Sequence, residues 1–161
     1  MTVVRHVSVE GVRLRFAAAH MATLGDELEP LHGHNYEARA RVEGELTGDH
    51  WVIDFSVLKR LVRETCDRLD HTFLLQRDSP QLEIEQSAAL WTIRFRDRTY
   101  VFPTSDVVAL PIANTTAELI AEWIWHEVAT ALRAEGHASI TQLAIEVEEM
   151  PGQAGGYGAA L

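Results

Sequence analysis

From residue 32 to residue 44 the chain alternates without a break. His32, His34, Tyr36, Ala38, Ala40 and Val42 fall on one side of an extended strand, and Asn35, Glu37, Arg39, Arg41 and Glu43 on the other. The same period of two runs through "VSVEGVRLRFAAAH", where Val7 and Val9 alternate with Ser8 and Glu10, and Leu14 and Phe16 with arginines; Gly11 marks a turn or bulge. "MATLGDELEP" is non-periodic and reads as a loop, "GELTGDH" as a turn, and "WVIDF" as a short strand. Asp54 then caps a helix to about Leu69, with Leu58, Leu61, Val62, Thr65, Cys66 and Leu69 on its buried face.

Residues 76–87 are irregular, and Trp91, Ile93 and Phe95 before "RDR", with Tyr100 and Phe102 after it, predict an inserted hairpin within 81–105. Thr115 as N-cap, with Glu118 three residues on, opens a second helix that ends at Gly136. "SITQLAIEVEEMP" closes the pattern as a strand. This order is α+β: one domain over 1–161, with a mostly antiparallel sheet packed against two helices. The sheet's other side, rich in Arg and Glu, faces water or a second subunit.

The candidate chemistry begins with "LHGHNY". His32 and His34 project to one side of their strand, and His20 ends the preceding strand close enough to loop back beside them. Three neutral imidazoles with a fourth position open are a ligand set for catalytic zinc, with iron a substitute under the same ligation. The alternative is an ordinary inner face on which each histidine finds a hydrogen-bond partner. Asp70 and His71 follow the first helix, where an aspartate can orient a proton-transferring histidine or simply provide helix-terminal polarity. On the last strand Glu149 continues the apolar side of Leu143, Ile145 and Val147. A buried carboxylate there requires donors, such as the N–H edge of an amino-pyrimidinone, unless it sits at the rim.

Composition narrows the partners. The 161 residues are 47% hydrophobic and carry 14 Lys plus Arg against 24 Asp plus Glu, a formal charge of −10, which argues against nucleic acid. The single cysteine, Cys66, excludes an internal disulfide framework and fits a cytoplasmic protein. No apolar run approaches a bilayer span, and the start of the chain lacks a signal-peptide pattern.

Six segments, "RFAAAH", "LHGHNY", "VIDFSVLK", "LDHTFL", "NTTAEL" and "EVEEMP", resemble in order the 6-pyruvoyl-tetrahydropterin synthase and 6-carboxy-tetrahydropterin synthase family. The resemblance implies a tunnelling fold (T-fold) whose subunits associate into an oligomeric barrel. It further implies a homohexamer, a dimer of trimers, with active sites at subunit interfaces. It implies Zn2+ on His20, His32 and His34, a pterin ring anchored by Glu149 near Thr115 and Thr116, and Asp70 and His71 in proton transfer. The usual substrate in such proteins is 7,8-dihydroneopterin triphosphate.

One departure bears on the reaction. Familiar members carry a general-base cysteine four residues before the first histidine of "HGH", where this chain has Leu28. Cys66 falls on the buried helical face and is a poor replacement. Glu29, in "ELEPLHGH", resembles a branch in which glutamate stands in for that cysteine. The resemblance to that branch implies a zinc-dependent lyase that removes most of the side chain by retro-aldol cleavage, leaving 6-hydroxymethyl-7,8-dihydropterin. Two alternatives stay open: a 6-carboxy- or 6-pyruvoyl-tetrahydropterin synthase with a displaced base, and a non-catalytic pterin-binding or interaction protein.

Overall fold

The computed structural model describes residues 3–161. In chain order the strands and helices are β1 (Arg5–Val9), β2 (Arg15–His20), β3 (Thr23–Leu24), β4 (Glu27–Leu28), β5 (His32–Gly44), α1 (Phe55–Asp67), β6 (Thr72–Gln76), β7 (Glu83–Gln86), β8 (Leu90–Phe95), β9 (Arg98–Pro103), β10 (Val107–Leu110), α2 (Ala117–Ala134), β11 (Ile140–Met150) and β12 (Gln153–Ala160).

The long strand β5 organises the main sheet, whose order is β10-β6-β2-β5-β11-β12. Along one edge β5 pairs antiparallel first with β2 and then with β1; along the other it pairs with β11. Gly11, at φ 115, breaks β1 from β2. Its positive φ suits a residue without Cβ. The sheet is mixed: β6 runs parallel to both β2 and β10.

One face of the sheet is buried against both helices. Leu14, Phe16, Tyr36, Ala38, Val42, Ile145 and Val147 meet Leu58, Val62, Ile120, Ile124 and Val128 in one core. The indole N–H of Trp125 donates to the Leu143 carbonyl at 2.7 Å, tying α2 to β11. The opposite face is ionic: Arg39 reaches Glu146 and Glu148 at 2.8 Å each, and Arg15 reaches Glu37 at 2.8 Å.

Several local expectations need correction. "WVIDF" is not a strand; a turn from Thr47 to Trp51 turns Val52 and Ile53 inward as core side chains. "MATLGDELEP" holds the two-residue strands β3 and β4, and residues 83–86 add a third strand to the β8–β9 hairpin. The chain does not end its strands at Pro151, because β12 folds back on β11. The N-cap of α2 is Thr116, whose hydroxyl accepts from Leu119 N–H, and not Thr115. The Thr115 hydroxyl is buried and already engaged, donating to Gln76 Oε1 at 2.8 Å. Among the described residues no helix is long and apolar enough to cross a membrane.

Candidate active site and metal centre

Strand pairing brings the three histidines together. His20 and His32 are direct partners across β2 and β5, and His34 lies two residues further on the same side. Gly33 between them is required by close packing, since a Cβ there would sit 2.9 Å from the Ala18 carbonyl oxygen. The ligand atoms of His20, His32 and His34 lie within 4.8 Å of one another.

The ring tautomers follow from the outer nitrogens. His20 Nδ1 donates to the Thr115 carbonyl at 3.0 Å, and His32 Nδ1 to the Pro30 carbonyl at 2.7 Å. Both Nε2 atoms are then bare lone pairs, yet they stand 3.2 Å apart. Two acceptors at that distance repel unless a cation sits between them. His34 Nε2 is buried with no hydrogen-bond partner. Burial, then the neighbouring His32, pushes the His20 pKa down to about 4, so its imidazole is neutral at pH 7.

Glu149 Oε1 approaches the same point, 3.3 Å from His20 Nε2 and 3.2 Å from His34 Nε2. A tetrahedral ion with bonds of about 2.0–2.1 Å separates its ligands by roughly 3.3 Å. The three imidazoles, with the His20 and His32 Nε2 atoms 3.2 Å apart, therefore fit a divalent ion, and Glu149 stands beside them. The buried Tyr36 hydroxyl lies near Glu149 without a well-formed hydrogen bond. Burial, followed by the Glu149 charge, raises its pKa, so it remains a phenol.

Glu29 enters from the β4 side, its Oε2 3.9 Å from His32 Nε2. His20, His32, His34, Glu29, Glu149, Thr115 and Thr116 thus line one cavity of about 470 Å³. Leu28 is buried in a small apolar cluster and does not line this cavity. Cys66 is fully buried in the helix core, and burial pushes its thiol up to about 12, which excludes it as a base near neutrality.

Asp70 and His71 lie elsewhere. Asp70 Oδ1 accepts from Ala17 N–H at 2.7 Å, and Oδ2 holds His71 Nδ1 at 2.8 Å. The Ala17 bond first, and His71 second, keep the carboxyl pKa below the ordinary range. His71 is 83% exposed and sits at φ 58, an uncommon backbone conformation for a non-glycine residue. It opens on a neighbouring cavity of about 540 Å³ with Ala17, Phe73, Phe102 and Asp106, and His34 lines both spaces.

Gln76 and Asn114 escaped the sequence reading. Gln76 fixes the Thr115 hydroxyl, and Asn114 makes two hydrogen bonds to the Thr23 backbone, each 2.8 Å. Neither had a periodic or spacing signal. Tyr36 had one, because it follows His32 and His34 on the same face of β5.

The model of the family described as 6-pyruvoyl tetrahydropterin synthase matches residues 11–159. The chain belongs to this family. A putative 6-carboxy-5,6,7,8-tetrahydropterin synthase of Methanocaldococcus jannaschii is 32% identical over 145 residues, 89% of each chain. A crystal structure of 6-pyruvoyl tetrahydropterin synthase from Plasmodium vivax superposes with a TM-score of 0.93 at 31% identity, covering 99% of this chain and 100% of that one. Two variants of the vivax protein replace a catalytic glutamate by alanine or cysteine. A dihydroneopterin monophosphate aldolase of Pyrococcus furiosus is 39% identical over 80 residues, 49% of this chain and 66% of that one. The fold is accordingly an α+β T-fold, a curled sheet packed against two helices.

Proposed function

We propose that this chain is a zinc-dependent enzyme acting on the side chain of a dihydropterin, 7,8-dihydroneopterin or its triphosphate, with Glu29 as the general base. The observation that carries the reading is the convergence of His20, His32 and His34 with two carboxylates, Glu29 and Glu149, on one cavity. A Zn2+ ion held by the three imidazoles would supply Lewis acidity toward a side-chain oxygen.

The protein's own groups then divide the work. Glu149 takes the N–H edge of the ring and fixes its position, beside Thr115 and Thr116. Glu29 accepts the proton whose loss starts the reaction, and His71, oriented by Asp70, returns one. In a single chain His71 opens on the adjoining cavity, which supports a site completed where subunits meet, in a hexamer of two trimers.

The names of the relatives favour a 6-carboxy- or 6-pyruvoyl-tetrahydropterin synthase whose base has moved from the position of Leu28 to Glu29. The catalytic glutamate of the vivax protein supports a carboxylate base in this family. A second reading is retro-aldol cleavage to 6-hydroxymethyl-7,8-dihydropterin, favoured by the likeness to the furiosus aldolase. There, loss of a hydroxyl proton forms a carbonyl as the adjacent carbon–carbon bond breaks toward the ring, which is then reprotonated.

The test is to incubate the zinc-loaded protein with both substrates and weigh the products. A carboxy or pyruvoyl product establishes the synthase, and 6-hydroxymethyl-dihydropterin the cleavage; Glu29→Gln with zinc retained should abolish either. Binding without turnover would overturn the enzymatic reading in favour of a pterin-binding protein, and a fully active monomer would overturn the shared site.

A further inference from the structure

Glu29 sits on a very small device. Residues 22–29 form a hairpin in which Thr23 faces Leu28 and Leu24 faces Glu27, closed by the Glu29 N–H donating to the Ala22 carbonyl at 2.9 Å. A two-stranded hairpin of this length does not hold itself in water. A base that must meet one proton needs firmer support, because displacement by about 1 Å can cost a hundredfold in rate.

Support comes from the three-stranded sheet of β7, β8 and β9, which is separate from the main sheet. Arg98 Nη2 donates to the Leu28 carbonyl at 2.7 Å. That carbonyl and the Glu29 N–H belong to one peptide plane, so the plane is held at both ends, by Arg98 and by Ala22. Arg96, on the turn between β8 and β9, donates to the Asp26 carbonyl at 2.8 Å and pairs with Glu27 at 2.7 Å. Gln81 Nε2 donates to the Gly25 carbonyl at 2.6 Å. Beneath these bonds the Leu28 side chain packs with Phe73, Trp91, Ile93 and Phe95, and the Arg98 guanidinium lies 5.2 Å over the Phe95 ring.

We propose that the three-stranded sheet is a clamp on the 22–29 hairpin and that Arg98 is a positioning residue for Glu29. The inference rests on the reading of Glu29 as the base. Arg98 touches neither the cavity nor the histidines in the structure; it acts on the peptide plane from which the base departs. Arg96 makes the exposed part of the clamp and has the smaller effect, since solvent-screened ion pairs contribute little.

The experiment compares Arg98→Ala, Arg98→Lys, Glu29→Gln and, as a control, Arg94→Ala, whose side chain meets Glu85 on the same sheet. Zinc content, kcat, KM and amide hydrogen exchange over 22–29 are measured on each. Arg98→Ala should lower kcat about tenfold or more with KM within about twofold and zinc unchanged, and should speed exchange across the hairpin. Arg98→Lys keeps the charge over Phe95 but not the forked donor, and should fall between; it also guards against a misfolded alanine variant. Arg94→Ala should match the parent. An inactive Glu29→Gln beside Arg98 variants of normal kcat and unchanged exchange overturns the clamp and leaves the base standing. An active Glu29→Gln overturns the base, and the positioning role with it, whatever the exchange shows.

Discussion

The two cavities that meet at His34 are built on opposite terms. On one side His20 is 1% exposed, and two imidazoles are tied through Nδ1 to backbone carbonyls. On the other, His71 is 83% exposed and held by one side chain, Asp70. The first gathers three imidazoles of a single chain in an arrangement compatible with a metal site. The second lies open to solvent at His71. Holding an ion and moving a proton make different demands, and the proposed shared site would meet both by folding the first into each subunit and leaving the second to assembly.

The largest effect should come from the residue common to both cavities. Replacing His34 by alanine removes one of the three imidazoles proposed to hold zinc, and the protein should lose stoichiometric zinc and at least about a thousandfold in kcat/KM. Because His34 Nε2 makes no hydrogen bond, the metal-free variant should melt within a few degrees of the metal-free parent. Metal analysis beside calorimetry separates the two. Zinc binding at full strength in His34→Ala would break the contrast at its root.

The buried side should also respond to acid. The unfolded chain protonates His20 near its ordinary pKa of 6.5, whereas the folded chain resists until about 4. Stability is therefore fully present above pH 6.5 and is lost as pH falls toward 4, by an amount on the order of 3 kcal/mol. Urea unfolding of the metal-free protein at pH 7.5, 6, 5 and 4.5 reads this directly, and His20→Gln should flatten the slope. An equal slope in both proteins would locate the acid sensitivity elsewhere.

This contrast explains what the sequence revealed. The inward face of β5 was legible because period two is set by backbone geometry, and it carried His32, His34 and Tyr36 together. His20 was legible as the end of the strand before it. Helix α1 and the core face of β11 were legible for the same reason. What escaped depends on contacts distant in sequence: Gln76 on Thr115 across 39 positions, Asn114 on Thr23 across 91, and Arg98 on Leu28 across 70. The N-cap of α2 moved from Thr115 to Thr116 for this reason too. Both threonines suit a cap locally, but Thr115 is needed by His20 and Gln76. Residues 52 and 53 showed strand-like apolarity yet serve as core side chains after a turn.

The smallest effect, and the finest test of the contrast, concerns Asp70. Its Oδ1 accepts from Ala17 N–H and its Oδ2 receives His71 Nδ1–H, so it fixes both the position and the tautomer of the imidazole. In Asp70→Asn the amide oxygen can keep the Ala17 bond, but its NH2 then faces the Nδ1–H, donor against donor. The ring must turn over or transfer its proton to the other nitrogen, and either misdirects the imidazole proposed to return a proton to the substrate. Turnover should fall about tenfold, less than the roughly hundredfold expected for His71→Gln, since Asp70 acts only through its neighbour. Neither change touches His20, His32 or His34, so zinc content and affinity should stay at the parent's values. Zinc lost from Asp70→Asn would mean that the exposed cavity helps to hold the ion, and the separation of ligation from proton transfer would fail.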